Sequence, residues 1–135
     1  MLAEGLIRLG VITQNLDEAL DMKSGQLKDW YMHNTSHWIG LDVHDVGVYL
    51  PDGKPRLLES GMCLTVEPGL YFGAWRPDVV CPERYANIGI RIEDDILVTD
   101  DGPVVLTDKC PKTIHEIEHI AVSYTHLRAH ETTCD

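Results

Sequence analysis

The chain has 135 residues, 44% of them hydrophobic and 24% charged, the proportions of one ordinary globular domain with a modest core. Acidic residues outnumber basic ones by 22 to 11, and the formal charge of −11 argues against a nucleic-acid partner, whose phosphates need a basic face. No apolar run approaches the roughly 20 residues of a membrane span, and MLAEGLIRLG lacks the basic-then-apolar order of a secretory signal, so we expect no membrane partner and a cytoplasmic location.

In chain order, residues 2–9 place Leu2, Leu6 and Leu9 on one helical face. Asn15 followed by Glu18 is a capping-box start for a short second helix carrying Leu16 and Leu20. Lys23 to Lys28, with Gly25, reads as a polar connection. From Trp30 to Leu50 the helical period is lost, and Gly40 and Gly47 punctuate what we expect to be extended, buried backbone. Met62–Val66 is a strand pattern with β-branched Thr65 and Val66, ended by Pro68-Gly69. A short strand, Leu70–Phe72, follows, then a loop over 73–87 with two prolines.

Ile88 to Thr99 gives the strongest strand signal and reads as one strand. Asp101-Gly102 is a turn dipeptide from which Val104–Leu106 pairs back as a hairpin. Thr113 with Glu116 is a second capping box, opening a helix with Ile114, Ile117 and Ile120. The expected fold class is α+β, an antiparallel sheet with helices before and after it. Residues 122–135 have no apolar period; we expect a non-native or disordered tail there and set it apart from a domain over 1–121. Cys63, Cys81, Cys110 and Cys134 form no C-x-x-C pair, so reduced structural thiols are expected.

Three segments are dense in metal-capable side chains: His33 to Gly47 (HNTSHWIGLDVHDVG), Leu64 to Tyr71 (LTVEPGLY) and Gly89 to Asp95 (GIRIEDD). In a strand, Ile88, Ile90 and Ile92 share one face and Gly89, Arg91 and Glu93 the other. Taken alone, Arg91 and Glu93 read equally as a solvent-facing ion pair, and Glu67 as a lone carboxylate at a strand end. Taken together, one His and two Glu beside strands and turns offer mixed nitrogen and oxygen donors. Such a set suits Mn²⁺, Co²⁺ or Zn²⁺, with its carboxylate content favouring Mn²⁺.

The runs HNTSHWIGLDVHDVG, LTVEPGLYF, ERYANIGIRIEDDILVT and PKTIHEIEHI, in this order over roughly residues 1–121, resemble the C-terminal part of the Xaa-Pro aminopeptidase (aminopeptidase P) catalytic domain. That group lies in peptidase family M24, the creatinase/methionine-aminopeptidase superfamily. The resemblance implies a pita-bread fold and two divalent metal ions. It implies hydrolytic release of the N-terminal residue from peptides with proline second, by a hydroxide bridging the two metals, and a homo-oligomer for the full-length enzyme. It places metal ligands at His37, Glu67 and the bridging Glu93. His44 falls on a histidine that contacts substrate, His33 on a second pocket histidine, and Tyr71 and Arg91 on groups that orient the carboxylate ligands.

The family supplies two further Asp ligands from upstream of the histidine segment. Asp17 and Asp21 lie on a short helix and Asp29 in a connection, so none fits. We therefore expect an incomplete enzyme of weak or no activity, with Met1 marking an internal start or a truncated gene product. The alternatives are an Xaa-Pro dipeptidase (prolidase) of the same fold and a non-catalytic remnant acting as a binding module. A separate signature, His115-Glu116-Ile117-Glu118-His119, matches H-E-x-x-H, in which histidines four apart on a helix share a face. Glu118 charges the side that would lie behind a metal, and the only histidines that follow, His126 and His130, fall in the tail, so we read a solvated helix face.

Overall fold

The computed structural model describes residues 1–73 and 79–131, except the side chains of 123–131. The middle of the 73–87 loop, including Pro77, and the side chains of His126, His130 and Cys134 lie outside the described residues.

The first helix, α1 (Leu2–Arg8), buries Ala3 and Leu6. It ends where Gly10, at φ 70, turns the chain, a left-handed conformation that glycine adopts without a Cβ clash. The second, α2 (Leu16–Ala19), carries the expected capping box: Glu18 N–H donates to Asn15 Oδ1 at 3.0 Å, and Asn15 N–H to Glu18 Oε2 at 3.2 Å. A third helix, α3 (Leu27–Trp30), forms where the sequence suggested a polar connection over 23–28. Local propensity is weak there; burial of Trp30 decides it. The Trp30 ring lies 5.1 Å from Phe72, and with Leu6, Val11, Ile12, Ala19 and Phe72 it makes the core.

The segment from Met32 to Leu50 is irregular and largely exposed, Leu41, Val43, Val46 and Val48 included, which corrects the expectation of buried backbone. Its first part pairs with the chain that follows. Ile39 N–H donates to the Cys63 carbonyl at 3.1 Å, Thr65 N–H to that of His37 at 3.0 Å, and Glu67 N–H to that of Thr35 at 2.7 Å. Residues 35–39 therefore run as a short ladder beside the first strand.

Among the described residues five strands follow: β1 (Cys63–Val66), β2 (Gly69–Phe72), β3 (Ile88–Arg91), β4 (Asp94–Thr99) and β5 (Gly102–Val105). They form a three-stranded antiparallel sheet ordered β1-β4-β5 and a separate antiparallel pair β2-β3. The single strand expected over Ile88–Thr99 is thus two, belonging to different sheets. Both sheets continue one register: Val66 faces Asp94 and Gly69 faces Arg91, so Glu67 and Pro68 stand opposite Glu93 and Ile92 where the ladder breaks. Pro68 brings no N–H to that break, and Ile92 N–H reaches the Pro68 carbonyl at 3.2 Å. The face of β2-β3 that carries Leu70 and Phe72 also presents Ile88 and Ile90, with Ile92 just beyond, to an open apolar groove shared with Leu2, Leu9 and Tyr85.

The β4-β5 hairpin turns through Asp100-Asp101 as its register requires, with Gly102 at φ 117. Beyond it, Lys112 Nζ binds Asp94 Oδ1 at 3.0 Å and the Thr107 carbonyl at 2.8 Å, tying the approach to α4 (Ile114–Glu131) onto β4. The second capping box forms as expected, Thr113 N–H reaching Glu116 Oε2 at 3.0 Å. The helix continues past Ala121, where the apolar period stops, to Glu131. Helices flank antiparallel sheets, so the fold class is α+β. Among the described residues no helix is long and apolar enough to cross a membrane.

Candidate metal centre

The break in the strand ladder creates the site. Glu67 follows β1 beside Pro68, Glu93 lies between β3 and β4, and the shared register sets the two carboxylates across from each other. Like charges directly opposite are unfavourable, and Glu67 is 8% exposed, so little water screens it. The short ladder of residues 35–39 then delivers His37 to the same place. One donor atom from each of His37, Glu67 and Glu93 lies within 4.8 Å of the others, the only such group of three or more His, Cys, Asp or Glu among the described residues.

Hydrogen bonds set the state of His37. Its Nδ1 lies 3.0 Å from the Trp38 carbonyl, which can only accept, so Nδ1 carries the proton. The neutral ring then turns the Nε2 lone pair towards Glu67 Oε1, 3.2 Å away. Two acceptors at that distance need a cation between them: a proton on His37 or a metal ion. A four- or six-coordinate shell with bonds of about 2.0–2.2 Å spaces neighbouring donors about 3–3.5 Å apart. His37 and Glu67 have that spacing, and Glu93 offers a third donor within 4.8 Å, a set whose chemistry suits a divalent ion.

The surroundings hold Glu67 on both sides. Thr65, 1% exposed, donates its hydroxyl to Glu67 Oε1 at 3.1 Å and accepts His37 N–H at 3.0 Å. Arg91 Nη1 lies 3.6 Å from Glu67 Oε2, while Arg91 Nε donates to the Tyr71 hydroxyl at 2.7 Å. That bond to Tyr71 first, then the charges of Glu67 and Glu93, hold the Arg91 pKa above its ordinary value. His33 Nδ1 binds the Asn34 carbonyl at 2.7 Å, which leaves Nε2 of the neutral ring to accept the Tyr71 hydroxyl at 2.9 Å. The direction is consistent throughout: Arg91 to Tyr71 to His33.

Space for this chain of bonds comes from Gly69. A Cβ there would lie 2.6 Å from the Tyr71 hydroxyl and 2.9 Å from His33 Nε2. His44 is exposed and reaches the centre by a loop closed on Trp38: Asp45 N–H donates to the Trp38 carbonyl at 3.0 Å, and Trp38 stacks on Tyr49 at 5.4 Å. The His44 ring stands edge-on to His37, 4.3 Å between centroids. Beside His33 opens a cavity of about 360 Å³ lined by Leu20, Met22, Leu27, Tyr31 and Thr35.

The structure thus brings His37, Glu67 and Glu93 to one point, Arg91 and Tyr71 against Glu67, His33 behind Tyr71, and His44 over His37. Arg91 turns to Tyr71 and Glu67 and makes no bridge to Glu93. Thr65 escaped the sequence reading, which took it only as a β-branched strand former; its spacing of two from Glu67, which puts both on one strand face, was the available signal. Asp17, Asp21 and Asp29 do not join the cluster. Among the described residues His115 and His119 join no metal-capable group, and Glu116 is engaged in the cap, bonding Thr113 N–H and Oγ1 and Lys112 N–H.

An α+β scaffold with two carboxylates and an imidazole at a strand break is the arrangement of a metallohydrolase, and residues 2–100 match the family model of metallopeptidase family M24, to which the chain belongs. The Xaa-Pro aminopeptidase of Escherichia coli K12 is 47% identical over 91% of this chain, and human Xaa-Pro aminopeptidase 3 is 36% identical over 89%. Among solved structures, Pseudomonas aeruginosa aminopeptidase PepP superposes with a TM-score of 0.81 at 42% identity over 93% of the chain. A Zn-substituted E. coli aminopeptidase P in complex with product gives 0.77 at 48% identity over 90%. The chain spans 26% and 22% of the length of the two Xaa-Pro aminopeptidases, and 27% and 26% of the two structures.

Proposed function

We propose that this chain carries the His37–Glu67–Glu93 side of a two-metal peptidase centre that releases the N-terminal residue from peptides with proline in second position. The convergence of those three donor sets within 4.8 Å is the observation that carries the reading, and the names of the relatives supply the substrate class. Two of the three donors are carboxylates, which favours Mn²⁺, with Co²⁺ or Zn²⁺ able to replace it. Bound divalent ions supply Lewis acidity and lower the pKa of water.

The chain's own groups do the rest. Glu93 faces Glu67 across the strand break and would hold a divalent ion together with Glu67 and His37. Arg91 and Thr65 hold Glu67 in its plane. Tyr71 accepts from Arg91 and donates to His33, which lines the neighbouring cavity together with apolar Leu20, Met22 and Leu27 and charged Asp21 and Lys28. His44, exposed above His37, is placed to meet the peptide as it enters. The two further aspartate ligands do not come from the described residues, so the chain alone has weak or no peptidase activity; the complete enzyme is cytoplasmic and oligomeric.

Calorimetric titration of the chain with Mn²⁺ tests the centre. Binding should fall at least about tenfold in His37→Ala and be unchanged in His115→Ala. The reverse pattern would move the metal to the helical histidines and end this reading. Full-rate cleavage of an Xaa-Pro tripeptide by the 135 residues alone would remove the need for further ligands.

A further inference from the structure

We infer that Thr65 is a positioning residue for this centre, fixing both the plane of the Glu67 carboxylate and the placement of His37 through one hydroxyl. The inference rests on the reading in which His37, Glu67 and Glu93 hold a divalent ion.

Thr65 is one of the two largest fully buried side chains, at 1% exposure, and it carries a polar atom. A buried hydroxyl must find partners, and this one uses both its capacities on the candidate ligands. Its lone pair accepts the backbone N–H of His37 at 3.0 Å, and its single proton goes to Glu67 Oε1 at 3.1 Å. That oxygen is the one 3.2 Å from His37 Nε2. The backbone of Thr65 adds a third tie, donating to the His37 carbonyl at 3.0 Å. Thr65 therefore binds one ligand's backbone and the other's side chain, from a strand position two residues before the glutamate.

With Arg91 Nη1 on the far oxygen, Glu67 is held between two donors before any ion arrives. Ligands aimed in advance lose less freedom on binding an ion, and partners of ligands commonly matter to affinity for that reason. Ordinary strand chemistry does not ask for the hydroxyl. Valine has the same branched shape and at least equal strand preference, so a residue serving the sheet alone tolerates it.

Thr65→Val removes the hydroxyl and keeps the shape; Thr65→Ser keeps the hydroxyl and removes the methyl. Mn²⁺ affinity by calorimetry should fall about 10–100-fold in Thr65→Val and stay within about threefold of wild type in Thr65→Ser. The visible absorption of bound Co²⁺ should change only in the valine variant, a readout that a packing role would not move. Valine binding within about threefold of wild type, or serine falling as far as valine, overturns the inference. If Thr65→Val does not fold, Thr65→Ala takes its place with the same two outcomes. His37→Ala separates the levels. If it binds as wild type, the metal reading itself fails and takes the inference with it; if it loses binding while Thr65→Val does not, only the inference fails.

Discussion

Glu67 and Glu93 face each other across a strand ladder at the one place where an ordinary sheet would put an apolar or oppositely charged pair. Repulsion of this kind persists in a fold when something else uses it, and Glu67 is flanked by two donors, Thr65 Oγ1 and Arg91 Nη1, with the His37 Nε2 lone pair beside them. Glu93→Gln removes one charge and keeps the shape. In the metal-free chain, urea unfolding should show stability unchanged or raised by up to about 1 kcal/mol. Mn²⁺ affinity should fall by more than the about 10–100-fold that loss of a ligand's partner costs. A clear loss of stability without metal would make Glu93 a structural group. The sequence pointed to the three donors through the resemblance of their segments to the family, while their residue types alone fitted a solvent-facing ion pair and a lone carboxylate as well. It could not show that Nδ1 of His37 is the protonated nitrogen, since that follows from a carbonyl placed only by the folded backbone.

Elements differ in how far local sequence decides them. Both capping boxes were legible because their partners are three residues apart and bond each other directly. The helix α3 was not, because four residues of modest propensity form it only when Trp30 packs on Phe72. The division of Ile88–Thr99 was hidden for a different reason. Isoleucine, valine and threonine fill both halves, and the break is imposed by the facing Pro68. That same break leaves Gly69 beside Tyr71, and Gly69→Ala should destabilise the chain by about 1–3 kcal/mol through overpacking. It should also part Tyr71 from His33, visible as a change of the His33 ring nitrogens in NMR; an unchanged ring signal would mean that the contact tolerates the methyl. In the three-stranded sheet, the Thr107 hydroxyl and then the Lys112 ammonium hold the Asp94 carboxyl below its ordinary range. A carboxyl lowered by folding stabilises the fold above its unfolded pKa, about 3.9 for aspartate. That contribution is lost as pH falls through the lower folded value. Thermal unfolding followed from pH 7 to 3 should therefore fall more steeply in wild type than in Asp94→Asn, the two curves converging at the acid end. Parallel curves would remove the Lys112 tether as a pH-dependent element.

At the scale of the molecule, the centre joins parts that otherwise pack separately. The helices α1 to α3 share their core with β2, whereas β1, β4 and β5 form the other sheet. His37 comes from the loop ladder, Glu67 from the passage between β1 and β2, and Glu93 from the passage between β3 and β4. A divalent ion bound there ties both sheets and the loop at their common break. Binding to the folded chain alone stabilises it in proportion to the logarithm of ligand excess, about 2.7 kcal/mol at one hundred times Kd. For a chain of this size that is a rise in Tm on the order of 10 °C. The rise should appear with Mn²⁺, disappear on chelation, and be absent in His37→Ala, whose metal-free Tm should stay close to that of the wild type. The three ligands would then act as a joint between sheets as well as a reactive centre. A Tm indifferent to Mn²⁺ at saturating concentration would show that the three donor groups meet without holding an ion, and that the strand break is balanced by Arg91 and a protonated His37 alone.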